Sequence, residues 1–191
     1  MRSRLSWTER RILPLGTSGC KCTIIKFDGS VSASSYCEYS MDIYDSGRKY
    51  ELDPRKVWAS VKKSLHDSMK SHNGDPPLVL SVSSFGEAFT PVSHTGEFLY
   101  NSILYMDDRG SCEMKALVET FGLDRLMHLT GMPVHSMYSI NKMMWMKKEL
   151  PDIYEKSWRF MLYEDLVIYM TWSLMLSVKW MIPVKVGMVQ E

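Results

Sequence analysis

The run Gly16-Thr-Ser-Gly-Cys-Lys21 carries the residue types that cradle a phosphate group. Glycines let backbone amides approach anionic oxygens, the hydroxyls of Thr17 and Ser18 donate hydrogen bonds, and Lys21 adds positive charge. Alone, a Gly-Thr-Ser-Gly tetrapeptide is a weak signal, and a bare hairpin loop is its default reading. A second run, Met137-Tyr-Ser-Ile-Asn-Lys-Met-Met-Trp-Met-Lys-Lys-Glu149, sets Lys142, Trp145 and Glu149 at helical spacing just after the turn-like Thr130-Gly-Met-Pro-Val-His135. Other reactive types lead nowhere. Cys20, Cys22, Cys37 and Cys112 lack the paired spacing and neighbouring histidines of a zinc site, and read as reduced cytosolic thiols. Cys20 and Cys22 would share one face of a strand, in a packing role. His66 falls on the polar side of a helix and reads as solvated.

These residues need a frame. Cys20 to Phe27 alternates and is rich in β-formers, Asp28-Gly29 is a two-residue turn signal, and Val31 to Tyr39 continues as a second strand. Asp53-Pro54 opens a helix, with Asp as N-cap and Pro at the first helical position. Val57, Trp58, Val61, Leu65 and Met69 then recur at helical spacing, leaving Lys62, Lys63, His66 and Asp67 on the wet side. Leu78-Val-Leu-Ser-Val82 is short enough for a buried strand. Phe89 to Val92 and Ser102 to Met106 are two more strands around the turn at His94-Thr-Gly96. Helices are expected near 112–121, 139–149 and 161–171. Strands first and helices later, with one strand–helix–strand crossover, predict an α/β layer fold.

At 191 residues, 45% apolar and 24% charged, the chain has the make-up of one globular domain. A net charge of +1 gives no reason to expect nucleic acid or an anionic membrane as partner. Met1 to Arg11 is too polar for a secretory h-region. The apolar run from Leu166 to Val178, about 13 residues, falls short of the ~18–20 that span a bilayer. The 16 methionines fall mostly in helical windows, where flexible side chains fill irregular core gaps.

From about Ile12 to Met170 the motifs resemble, in order, the N-terminal half of the FGGY carbohydrate kinases. Gly16 to Lys21 resembles that family's first phosphate loop, and Glu51-Leu-Asp-Pro-Arg-Lys-Val-Trp58 the segment leading into its first helix. Ser83-Ser-Phe-Gly-Glu-Ala-Phe89 resembles the strand end where the family places sugar-binding residues. Asn101-Ser-Ile-Leu-Tyr-Met-Asp-Asp-Arg109 is similar to its next strand and turn, and Met137 to Glu149 to its first signature. The resemblance implies an α/β, RNase H-like N-terminal domain of the actin/sugar kinase/Hsp70 type, a mixed sheet with flanking helices over residues 12–170. Residues 1–11 would be an unassigned extension and 171–191 a divergent tail. It also implies cytoplasmic phosphoryl transfer from ATP, with Mg, to a sugar or polyol hydroxyl. Gly16, Thr17, Ser18, Gly19 and Lys21 would face phosphate. Glu87 would accept a hydrogen bond from a substrate hydroxyl, an exposed loop acid being the alternative. Asp107 would face sugar hydroxyls, with a structural ion pair through Arg109 the even alternative. Trp145 and Met146 would be core, and Lys142 would position neighbouring backbone.

The chain departs from the family pattern in three places. Pro14, in Ile12-Leu-Pro-Leu-Gly16, stands where the family carries an Asp near the metal–nucleotide, and it brings neither charge nor a backbone donor, which also threatens the strand. After Tyr163-Glu-Asp-Leu-Val-Ile-Tyr-Met170 the family pattern is lost. The family's catalytic Asp and second domain would follow that point. The expected function is the sugar-side half of a kinase, inactive by itself. The alternatives are a non-catalytic sugar-binding or subunit-interaction module, whether a homo-oligomer or completed by a missing C-terminal domain, and a fragment of a full-length kinase. Gly86 and Met137 stand where glycerol kinases carry Arg and Tyr, which points toward a sugar acid or ketopentose instead.

Overall fold

The computed structural model describes residues 9–177. In chain order the strands are β1 (Glu9–Leu15), β2 (Gly19–Lys26), β3 (Val31–Glu38), β4 (Asp42–Tyr44), β5 (Lys49–Leu52), β6 (Val79–Ser84), β7 (Phe89–Val92), β8 (Ser102–Ile103) and β9 (Arg159–Leu162). The helices are α1 (Pro54–Lys70), α2 (Ser111–Phe121), α3 (Leu123–Thr130), α4 (Ser139–Glu149), α5 (Pro151–Lys156) and α6 (Tyr163–Ser177). Two compact units result. One takes the chain up to Glu38, Trp58–Ser84 and the chain from Glu164; the other takes Tyr39–Val57 and Phe85–Tyr163.

The first unit is built on a mixed four-stranded sheet in the order β3-β2-β1-β6, with β1 antiparallel to β2 and parallel to β6. The expected hairpin forms β2 and β3. Its turn uses Gly29 at φ 85°, and the Asp28 carboxylate accepts the Ser30 amide at 2.9 Å. Along β2 the alternation buries Cys20, Cys22 and Ile24 and leaves Lys21 outside. Residues four apart on a helix rise about 6 Å and residues two apart on a strand about 6.6 Å, so two serines of α1 match two cysteines of β2. Ser64 Oγ lies 3.5 Å from Cys20 Sγ, and Ser68 Oγ donates to Cys22 Sγ at 3.1 Å. Ser35 of β3 adds a hydrogen bond to the Ser64 carbonyl at 2.6 Å.

Four expectations for this unit change. The first strand begins at Glu9, so Glu9 to Arg11 belong to it and not to an extension. Pro14 does not break that strand, although β1 is central. Its ring faces outward between buried Leu13 and Leu15; pairing with β2 lapses at Leu13 and Pro14, while pairing with β6 runs unbroken from Arg10 to Leu15. The run expected as a buried strand is instead the edge strand β6, exposed at every second residue, because its alternate side chains point to an open face of the sheet. The tail expected from residue 171 is helical through Ser177 as part of α6, and the rest lies outside the described residues. Among the described residues no helix is long and apolar enough to cross a membrane.

The second unit holds an antiparallel five-stranded sheet ordered β4-β5-β8-β7-β9. The β4–β5 hairpin was not foreseen. Its turn puts Asp45, Ser46 and Gly47 in succession at positive φ. Strand β8 stops at Ile103, short of the expected Met106, because the chain turns there to bring Asp107 inward. Residues 159–162 form β9, where a helix from 161 was expected. Phe160 packs edge-on against Phe89, centroids 5.4 Å apart, beside a core of Phe89, Ile103 and Met146. Helix α3 buries none of its residues.

Gly19 is confined by β3. A Cβ there would overlap the Tyr36 hydroxyl and come within 2.9 Å of the Cys37 carbonyl. The half-exposed Tyr36 ring can swing away, but the carbonyl is fixed in the sheet. Gly19→Ala is expected to lose about 1–3 kcal/mol in urea denaturation, with Tyr36→Ala in the same chain restoring only part of it. Complete restoration would assign the whole penalty to the ring.

Candidate functional site

Helix α4 begins without a cap of its own. Tyr138 offers no side-chain cap and the first turn contains no acid, so its first amides need an acceptor from elsewhere. Glu87 provides it. One oxygen, Oε2, accepts the Ser139 amide at 2.7 Å and the Ser139 hydroxyl at 2.9 Å, and the charge suits a helix N-terminus. To reach there the Glu87 backbone adopts φ 56°, a left-handed conformation that disfavours a non-glycine residue by about 1–2 kcal/mol. Strain of this kind concentrates at functional positions. Glu87 is half-buried, and its second oxygen makes no hydrogen bond among the described residues.

One turn further along α4, Lys142 is fully buried. Its ammonium donates to the carbonyls of Ser136 at 3.0 Å, Met137 at 3.1 Å and Tyr105 at 3.5 Å. His135 is held too: Nδ1 accepts the Met137 amide at 3.0 Å, and its carbonyl accepts the Asn141 side-chain amide at 2.9 Å. The segment 135–138 is therefore pinned beside Glu87 and Tyr105, and Lys142 positions backbone as its sequence context implied. Burial pushes Lys142 down to about 8, against the opposing attraction of Asp107 and Glu87.

Asp107 is engaged wholly within the protein. Its side chain has no exposed surface, and both oxygens are occupied. Oδ1 accepts Arg109 N and Nε, each at 2.8 Å, while Oδ2 accepts Arg109 Nη2 and the Tyr50 amide, each at 2.6 Å. The ion-pair alternative is the one realised. Arg109 also donates to Glu51 at 2.7 Å, and its guanidinium lies 5.1 Å over the Trp145 ring. Glu51 in turn accepts Tyr100 Oη at 3.2 Å and Asn101 Nδ2 at 3.0 Å. Burial opposes the Arg109 charge, but these hydrogen bonds outweigh it and hold its pKa above the ordinary value. Sequence reasoning missed Glu51, Tyr105 and Ser139. The only hint of the first was an acid set between Tyr50 and Leu52 in a strand.

In the first unit, Gly16 to Gly19 form a tight reverse turn closed by the Gly16 amide on the Gly19 carbonyl at 2.8 Å. Thr17 is half-buried, Ser18 and Lys21 are exposed, and Lys21 faces Tyr36 across the strands. Pro14 contributes no carboxylate here. Among the described residues no group of three or more His, Cys, Asp or Glu could hold a metal ion, and Pro14 itself offers no ligand for magnesium.

Residues 11–176 match the family model described as the FGGY family of carbohydrate kinases, N-terminal domain. The chain belongs to this family. This FGGY chain is 26% identical over 157 residues to the xylulose kinase of Staphylococcus xylosus, covering 82% of itself and 32% of that protein. It is 24% identical over 163 residues to a glycerol kinase of Corynebacterium kroppenstedtii, covering 83% of itself and 32% of the relative. Among solved structures, the xylulose kinase from Rhodospirillum rubrum superposes at a TM-score of 0.79 with 18% identity, over 85% of this chain and 34% of that one. The gluconate kinase from Lactobacillus acidophilus gives 0.76 with 21% identity, over 85% and 33%. The fold is thus the mixed α/β N-terminal domain of the actin/sugar kinase type. The chain spans about a third of the length of the curated relatives it matches.

Removing Arg109 leaves two carboxylates buried without a counter-charge. Arg109→Leu is expected to lose about 3–5 kcal/mol of unfolding free energy, against less than about 1 kcal/mol for Arg48→Leu at its exposed pair with Asp45. A similar loss in both would refute the network's role. Lys142 holds its proton less tightly in the fold, at about 8, than at the ordinary 10.5. The unfolded chain therefore binds more protons between those values, and the Lys142 contribution to stability rises with pH across that window. The denaturation midpoint of wild type minus that of Lys142→Met should climb from pH 8 to 10.5. The buried Tyr163 hydroxyl, raised by desolvation, gives the opposite trend above pH 10 in both proteins and cancels. A flat difference contradicts the assignment.

Proposed function

We propose that the chain supplies the sugar-side half of a carbohydrate kinase site, in which the terminal phosphoryl group of ATP passes to a hydroxyl of a sugar or polyol. The observation that carries the reading is Glu87: strained at φ 56°, tied through one oxygen, with the other unbonded among the described residues. A carboxylate fixed in this way accepts a substrate hydroxyl with little further loss of freedom. The exposed Tyr105 ring and the pinned Met137 offer apolar surface for the C–H face of a sugar. A sugar acid or ketopentose suits the site better than glycerol, because Gly86 and Met137 bring no guanidinium or phenol beside Glu87. The relative described as a xylulose kinase agrees with that choice, while those described as glycerol kinases do not.

On the phosphate side, the hydroxyls of Thr17 and Ser18 and the Lys21 ammonium suit the oxygens of ATP, on a turn that Gly16 and Gly19 close. When bound, ATP supplies the phosphoryl group, and these residues hold and orient it. Magnesium enters no step here, since Pro14 stands where a carboxylate would be needed. The four free cysteines fit a reducing, cytoplasmic setting. Phosphoryl transfer depends almost wholly on positioning and charge neutralisation, so these 191 residues alone are expected to bind sugar without consuming ATP. A non-catalytic sugar-binding module is the second reading, favoured by Pro14.

Titration calorimetry with gluconate, xylulose and glycerol tests the proposal. Roughly millimolar binding of gluconate or xylulose is expected, weakened about tenfold or more by Glu87→Ala and less by the shape-preserving Glu87→Gln, with glycerol silent. Equal affinity in wild type and Glu87→Ala would remove Glu87 from the site. Sugar-dependent ATP consumption above a no-protein blank would overturn the expectation of inactivity.

A further inference from the structure

We infer that Cys20 and Cys37 form a reversible cross-strand disulfide when the protein meets a hydroperoxide. The register of β2 and β3 sets these residues directly opposite each other. Opposed residues of an antiparallel pair share a face, with Cα atoms about 4.5 or 5.5 Å apart depending on the ladder position. Both spacings fall within the roughly 4.4–6.8 Å that a disulfide spans. The remaining thiols are placed less well. Cys22 faces Ser35 across the strands and lies two residues from Cys20, about 6.6 Å along a strand with parallel Cβ directions. Its sulfur also accepts the Ser68 hydroxyl at 3.1 Å. Cys112 is exposed on α2, in the other compact unit.

Access sets the order of events. Cys37 is half-exposed and Cys20 is buried. The Cys37 thiolate attacks the O–O bond of the hydroperoxide, becoming a sulfenic acid and releasing the alcohol, or water when the oxidant is hydrogen peroxide. The Cys20 thiolate then attacks the sulfenic sulfur and expels hydroxide, which is protonated to water. Two thiols give up two electrons and two protons, and one peroxide bond is reduced. Burial holds the Cys20 thiol up, with neighbouring Cys37 adding to the effect, so the second step quickens in base. Cys20 must leave its 3.5 Å contact with Ser64 Oγ, a loss that a covalent bond outweighs. The bond would tie β3 to the residue directly after Gly19, at the foot of the Gly16–Gly19 turn.

Trypsin makes the test direct, since cleavage after Lys21 and Lys26 puts Cys20, Cys22 and Cys37 on three peptides. The 191-residue protein is treated at low concentration with hydrogen peroxide, alkylated and mapped by mass spectrometry. The expected result is a linked pair, Ile12–Lys21 joined to Phe27–Arg48, with the free-thiol count falling from four to two and returning to four with dithiothreitol. Cys20→Ser should instead leave Cys37 open to capture by dimedone. Cys37→Ser, at the half-exposed position, keeps the test usable should the buried variant fold poorly, and should show no linked pair. Dimedone-modified Cys37 with no Cys20–Cys37 link in the wild type, a link to Cys22, or only intermolecular links through Cys112 would overturn the inference.

Discussion

Arg109 is a cation with almost no access to water, and the second unit is arranged around answering it. Its fork takes both oxygens of Asp107, its remaining nitrogen takes Glu51, and its flat face takes the Trp145 ring. Each partner comes from a different part of the chain: the turn after β8, strand β5 and helix α4. A buried guanidinium is tolerable only with charge and hydrogen bonds closed around it, so these parts have little freedom to rearrange independently. Glu51 passes the constraint on to Tyr100 and Asn101, ahead of β8.

Helix α4 is where this rigidity becomes useful. Trp145 and Met146 anchor it to the core, which leaves its first turn free to serve as a mount. The mount holds Glu87 by its amide and hydroxyl at Ser139, and Lys142 draws three carbonyls inward to set the segment before it. Burying that ammonium is unfavourable enough to lower its proton affinity. The fold tolerates this because no shorter residue could reach all three carbonyls at once.

Local signals were read well wherever one residue decides a local geometry. Asp28-Gly29 fixed a turn, Asp53-Pro54 began a helix with the Asp53 carboxylate on the Arg55 amide at 2.8 Å, and the Lys142–Trp145 spacing marked α4. Partnership across the chain was less visible. Nothing in Asn101 to Arg109 distinguishes an Asp that meets a ligand from one that meets its own Arg, because the difference lies in burial. The sequence of β9 suits a helix as well, since Phe160 to Leu162 are apolar in either case, and only pairing with β7 decides between them. Pro14 argued against a central strand, yet the strand survives: the ring points out and the lost donor interrupts one ladder while the other continues.

Glu87 and position 14 differ in what they owe to folding. A charge on the outer face of β1 holds nothing together, and a chain with Pro14 there keeps its sheet. Glu87 carries the start of a helix on the same group that would meet a ligand. Substitution at position 14 is therefore absorbed by the sheet, whereas loss of the Glu87 carboxylate would strip the opening turn of α4 of its acceptor and cost the polypeptide part of its native state.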